Sequence, residues 1–169
     1  MDMWRFITTL LCFGFLLWNP TFTIPEESST QSAQPHPDLS PAEVIRIQIK
    51  ALGKNDSPHE NAGIEIAFRF ASPTNKLATG PLERFIQIAR SPAYRPMLNH
   101  RGAEYSELRT RGDEAVQPLI LTTQTGEQIG YTFFLSKQRG GPFDACWMTD
   151  GVIRFNVPQQ ETHPPLQTI

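Results

Sequence analysis

Few residues of this chain have the types and spacing to do chemistry. The four histidines are His36, His59, His100 and His163. His36 sits between two prolines and His163 lies near the C-terminus, so both read as solvated. His59-Glu60 begins like a zinc-protease helix, but Gly63 stands where the second metal-binding histidine is needed. A catalytic cysteine needs a neighbouring base and a lowered pKa. Cys146 has no such partner in its sequence context and reads as a small strand hydrophobe beside Trp147. A carboxylate base needs a cleft that raises its pKa. Asp113 and Glu114 flank Gly112 at a predicted hairpin, Asp144 falls in a loop, and Asp150 precedes Gly151 in a bulge-type pair. No residue is therefore assigned a catalytic role, no Cys/His cluster has metal spacing, and no cofactor is expected. Arg139-Gly140-Gly141 is a single loop, while Gly126 and Gly130 precede no helix, so neither cradles phosphate. Asn55-Asp56-Ser57 has the form of a glycosylation sequon, with an unfavourable Pro58 after it.

Such residues need elements to position them. Ser40-Pro41-Ala42-Glu43 combines a cap, a first-turn proline and the acid of a capping box. Ile45, Ile49 and Leu52 then share one face until Gly53 ends the helix. A second helix is predicted over about 59–71, with Ile66, Ala67 and Phe70 as its stripe and Ser72-Pro73 as its stop. A third begins near Thr79-Gly80-Pro81 and carries Leu82, Phe85, Ile86 and Ala89 to a stop at Ser91-Pro92. Strands follow: 103–109; 115–123, where Pro118 implies an edge or a bulge; 128–137; and 146–155, bulged at Asp150-Gly151. Ile129, Tyr131, Phe133 and Leu135 alternate onto one face of the third strand. Helices first and antiparallel strands after define an α+β fold, three helices packed on a curved sheet of about four strands.

The ends differ in composition. Phe6 to Trp18 is an uncharged, mostly apolar run of 13 residues, shorter than the ~20 of a membrane span and within the ~7–15 of a signal core. Residues 1–23 thus read as a signal peptide or signal anchor, and the protein as exported or anchored by that segment. Cleavage would leave Cys146 as the single cysteine and no internal disulfide. Residues 24–39 read as a flexible linker, 40–156 as the domain and 157–169 as a disordered tail. With 15 Lys and Arg against 17 Asp and Glu, the balance excludes a nucleic-acid binder that works by neutralising phosphates.

Several local words carry a resemblance: Ala67-Phe68-Arg69-Phe70-Ala71-Ser72-Pro73 with Asn75, Gly80-Pro81, Ser91 to Leu98, and Cys146-Trp147-Met148. Together they resemble an uncharacterised domain family of bacteria, cyanobacteria and photosynthetic eukaryotes. The element order is similar to the cone of nuclear transport factor 2 and ketosteroid isomerase. That resemblance implies a cavity at the cone mouth, with Tyr94, Arg95, His100 and Tyr131 as its expected lining. The competing expectation packs Tyr94 on the third helix and leaves Arg95 and Arg101 solvated or paired. The function expected is a non-catalytic module that binds a small ligand or a protein. One alternative is an isomerase, dehydratase or hydrolase with a base inside the cone. Another is an assembly module that forms a homodimer through a sheet face bearing Ile120, Thr122 and Phe134.

Overall fold

A computed structural model describes residues 32–157. The expected signal or anchor, the first part of the linker and the tail beyond Val157 lie outside the described residues. Residues 32–39 have no helix or strand, yet Ala33 and Leu39 pack on the core, and Arg69 donates to the Ala33 carbonyl at 3.2 Å.

Helix α1 spans Pro41–Gly53. Its capping box is formed: the Glu43 N–H donates to Ser40 Oγ at 3.3 Å, and the Ser40 N–H donates to Glu43 Oε2 at 2.8 Å. Val44, Ile45, Ile49 and Leu52 are buried on one side, and Gln48 is buried among them. Helix α2, Ala62–Arg69, starts later than the apolar pattern suggests. Asn61 adopts a left-handed φ of 66°, and Asp56 accepts its N–H at 3.1 Å, so the preceding residues form turns instead.

The expected stop at Ser72-Pro73 is also a start. Ser72 Oγ accepts the Asn75 N–H at 3.2 Å and Pro73 takes the first position of α3, Pro73–Thr79. One residue pair thus ends one helix and caps the next, which gives four helices where three were expected. Helix α4 covers Leu82–Ala89, and a short 3-10 turn follows at Arg95–Met97.

The strands are β1 (Gly102–Tyr105), β2 (Arg109–Arg111), β3 (Glu114–Thr122), β4 (Gln128–Lys137) and β5 (Trp147–Phe155). They form one antiparallel sheet in the order β1-β3-β4-β5, with β2 also pairing β3. The expected strand over 103–109 divides into β1 and β2 opposite Pro118. Tyr105 pairs with Leu119 and Arg109 with Val116, so the residues between them loop past the proline, which has no N–H to offer. The Ser106 N–H still reaches the Pro118 carbonyl at 3.0 Å.

Ile129, Tyr131, Phe133 and Leu135 are buried on the inner face, as their alternation predicts. They meet Leu119 and Leu121 from β3, Val44, Ile45 and Ile49 from α1, and Ile64 from α2. Burying each such side chain stabilises the fold by about 1.5–3 kcal/mol. Trp147 and Cys146 are also buried, so the cysteine sits as a hydrophobe would.

Candidate functional site

Strand β5 carries one residue too many for its partner. Thr149 pairs with Leu135 and Gly151 with Phe134, so Asp150 is the extra residue of a β-bulge. Such bulges bend a strand and redirect side chains. Here the bend is held from both sides. On one side the Thr149 N–H donates to Phe70 O at 2.8 Å, and the Ser72 N–H donates to Thr149 O at 2.9 Å. The Asn75 side-chain amide donates a second bond to Thr149 O at 3.0 Å. On the other side the Tyr94 hydroxyl donates to Val152 O at 3.0 Å, and Arg154 reaches Pro92 O at 3.3 Å. The word around Phe70 to Asn75 and the word that ends in Met148 are thereby brought together in space.

Between these two attachments lies a cavity of about 270 Å³. Leu52 and Ala67 close its inner end, Ala78, Phe85, Ile88 and Ala89 form the roof on α3 and α4, and Phe133 and Val152 form the sheet side. Helix α4 explains why the space exists. Its apolar face is strongly segregated, yet Leu82, Phe85, Ile86 and Ala89 are all only half-buried. Phe85 leans on Phe68 of α2, with ring centroids 5.2 Å apart, instead of filling the gap.

The polar groups of the cavity gather at Thr149 and Asp150. Gln48 Nε2 donates to Thr149 Oγ1 at 2.8 Å and to Val44 O at 3.2 Å. Asn75, Thr79 and Asp150 also line the cavity. Asp150 is exposed, and none of the described residues pairs with its carboxylate. Among the described residues no Lys, Arg or His lines the cavity.

Of the residues expected to line a pocket, Tyr94 lies in the wall of this cavity. Arg95 lines a separate, open groove with Asp56 and Asn99. That groove is built on a polar network satisfied from within: Asp56 accepts from Asn55 Nδ2, Asn61 N and Asn99 Nδ2. These bonds, with Asn99 contributing most, hold its carboxyl below the usual carboxylate range. His100 lines neither space. Its Nδ1 is 2.8 Å from Met97 O, and its ring lies so close to Gly53 that a Cβ there would be 2.9 Å from Cε1. Burial lowers its pKa, so the neutral ring with a proton on Nδ1 suits the Met97 carbonyl. Tyr131 is wholly buried in the core, with its hydroxyl bonded to Ala93 O at 2.8 Å. Burial pushes its pKa up to about 12. The geometry thus brings Tyr94 to the cavity and places Arg95, His100 and Tyr131 elsewhere.

Gln48, Asn75 and Thr149 escape a sequence reading of the site. Gln48 had one visible signal, a long polar side chain four residues after Val44 on the buried face of α1. The acids weighed as bases have separate positions: Asp113 accepts Arg139 Nε at 2.9 Å, Glu114 is exposed, and Asp144 accepts the Gly140 N–H. Among the described residues no group of three His, Cys, Asp or Glu could hold a metal ion. No described helix is long and apolar enough to cross a membrane.

A family model matches residues 37–162, which takes in the whole described domain apart from its first few residues. The chain belongs to DUF4864, a domain of unknown function. No curated protein matches it. No solved structure matches this DUF4864 domain either, so what is shown is the family and an α+β fold, and not the cone of nuclear transport factor 2 and ketosteroid isomerase.

Proposed function

We propose that the cavity at the β5 bulge binds a small organic ligand without transforming it. The observation that carries this reading is an apolar chamber closed by half-buried α4 on one side and lined with polar groups at Thr149 and Asp150 on the other. Ligand sites combine apolar walls with a few convergent polar groups in this way. An engineered apolar cavity of ~150 Å³ accepts benzene. The 270 Å³ here suits a molecule of one or two rings. Residues 1–23 would carry the domain across a membrane or anchor it there.

Ligand-observed NMR with a library of one- and two-ring fragments tests the proposal. Several hits should bind the wild type and be lost in Ala78→Phe, which fills the chamber from a partly open helix face. Hits that bind the variant equally well, or no hits at all, would overturn it. Turnover of a hit, abolished by Asp150→Asn, would favour an enzyme instead.

A second reading has its own observation. The outer face of the sheet shows a grid of Val116, Phe134 and Gly151; Pro118, Thr132 and Ile153; Ile120, Gly130 and Phe155. Thr132 is its only polar member, and Ile153 is 60% exposed. A second copy of the chain would cover it. Strand spacings give the grid an area of ~300 Å², against ~800 Å² per partner for a stable interface. The pairing is therefore a weak one. Sedimentation should show a dimer that Ile153→Asp dissolves, and a monomer at high concentration would contradict it.

A further inference from the structure

The polar end of the cavity is one-sided in what it can offer a ligand. Gln48 is 3% exposed, and its amide hydrogens are committed to Val44 O and Thr149 Oγ1. Its carbonyl oxygen receives no hydrogen bond from the described residues, so an accessible acceptor stands unpartnered in the cavity wall. Asn75 uses one amide hydrogen on Thr149 O, which leaves its side-chain oxygen unused. The Thr79 hydroxyl gives its proton to Asn75 O at 2.8 Å and can only accept thereafter. The Tyr94 hydroxyl likewise spends its proton on Val152 O. An ionised Asp150 carboxylate adds acceptors alone. Against these oxygens the side chains of the wall keep two uncommitted hydrogens, on the Thr149 hydroxyl and the Asn75 amide.

The cations nearby are directed elsewhere. Lys76 of α3 donates to Arg69 O at 3.1 Å, with its ammonium over the rings of Phe68 and Phe143 at 5.3 and 5.2 Å. Arg154 of β5 donates to Pro92 O, and Arg90 pairs with Glu60. None of the three lines the cavity.

We infer that the cavity selects a small amphipathic amine, its apolar body among Phe85, Ile88 and Phe133 and its ammonium toward the Gln48 oxygen and the Asp150 carboxylate. An ammonium brings three donors and no acceptor. It therefore complements a wall rich in oxygen lone pairs, and it gains a charge-assisted bond at Asp150. A carboxylate ligand would meet like charge and unpaired lone pairs, and an alcohol would satisfy one acceptor and leave the others bare. Sites whose polar groups are left unpaired reject such analogues strongly. This inference rests on the ligand-binding proposal above and adds to it the sign and the donor character of the ligand.

Three ligands of one shape separate the two ideas: benzylamine, benzyl alcohol and benzoate. Each is titrated calorimetrically near neutral pH into the full chain, into Asp150→Asn and into Ala78→Phe. Benzylamine should bind at least about tenfold more tightly than benzyl alcohol, and benzoate should not bind. Asp150→Asn should weaken benzylamine about tenfold or more while leaving benzyl alcohol within about twofold. Asp150 is an exposed bulge residue, so this change leaves the fold in place, and Asp150→Ser repeats the test with a shorter side chain. Benzyl alcohol or benzoate binding as tightly as benzylamine, or benzylamine unaffected by Asp150→Asn, would overturn the amine preference. If that binding still disappears in Ala78→Phe, the cavity reading survives alone. If none of the three binds, both ideas fall.

Discussion

Replacing Thr149 by Val keeps the side-chain shape and deletes one oxygen. That oxygen accepts Gln48 Nε2 at 2.8 Å, and it joins α1 to the bulged strand where Gln48 is 3% and Thr149 is 2% exposed. Without it, one amide hydrogen of Gln48 is stranded in a site with little access to water. Leaving a buried donor unpaired costs about 1–3 kcal/mol. Valine and threonine are both β-branched and both suit a strand, so propensity offsets little of this. The expected loss for Thr149→Val is about 1–2 kcal/mol. Gln48→Met removes the amide at similar length. The double variant places two apolar groups face to face, and such paired replacement is close to neutral. The four proteins thus form a double-mutant cycle with an expected coupling of about 1–2 kcal/mol. Urea unfolding of all four, with the slopes compared to confirm a common unfolded state, measures it. A Thr149→Val variant as stable as the wild type, or single effects that add within about 0.5 kcal/mol, would refute the claim that this bond ties the helix to the bulge.

Three further outcomes follow from positions outside the cavity wall. Burial holds the pKa of His100 below its ordinary 6.5, so on acidification the unfolded chain takes up the proton first. Stability should therefore fall as pH drops below about 6.5, level off below the folded pKa, and lose this component in His100→Gln; an unchanged urea midpoint across that window would contradict it. A Cβ on Gly63 would lie 2.3 Å from Ala51 O and 2.8 Å from Ala51 C, backbone atoms of α1 that cannot swing aside. Gly63→Ala should destabilise by about 1–2 kcal/mol in urea despite a helix-propensity gain of up to ~1 kcal/mol, because overpacking outweighs it; a stabilised variant would show that the α1–α2 contact is looser than this. The Cys146 thiol is 2% exposed, and burial, with help from the Asp144 charge, pushes its pKa up. A thiol reagent should label it far more slowly in the native chain than in urea, and equal rates would show it to be accessible.

The sequence revealed most where structure is decided locally. The Ser40–Glu43 capping box, the alternation from Ile129 to Leu135 and the bulge pair Asp150-Gly151 depend on neighbours in the chain, and each is formed. It revealed less where the decision is made at a distance. The division of β1 from β2 is imposed by Pro118 across the sheet. Helix α3 went unseen because Ser72-Pro73 serves as both stop and cap, and the stop alone accounts for the pattern before it. The site follows the same rule. Tyr94 is an aromatic with a polar tip beside a helix end, a type that draws notice, and it lines the cavity. His100 and Tyr131 draw the same notice but spend their polar atoms on the carbonyls of Met97 and Ala93. Gln48, Asn75 and Thr149 look ordinary in the chain, and become a polar end only when residues 101 and 74 positions apart meet.

The most direct measurement is a two-dimensional amide NMR titration of the wild-type domain with benzylamine and, separately, with benzyl alcohol. A ligand site at the bulge predicts saturable shifts confined to Gln48–Leu52, Ala67–Thr79, Phe85–Leu98, Phe133 and Thr149–Val152, the segments that line the cavity. Shifts centred on the outer sheet face at Val116, Phe134 and Ile153, shifts centred on the groove at Asp56 and Asn99, or no saturable shift with either compound would contradict it.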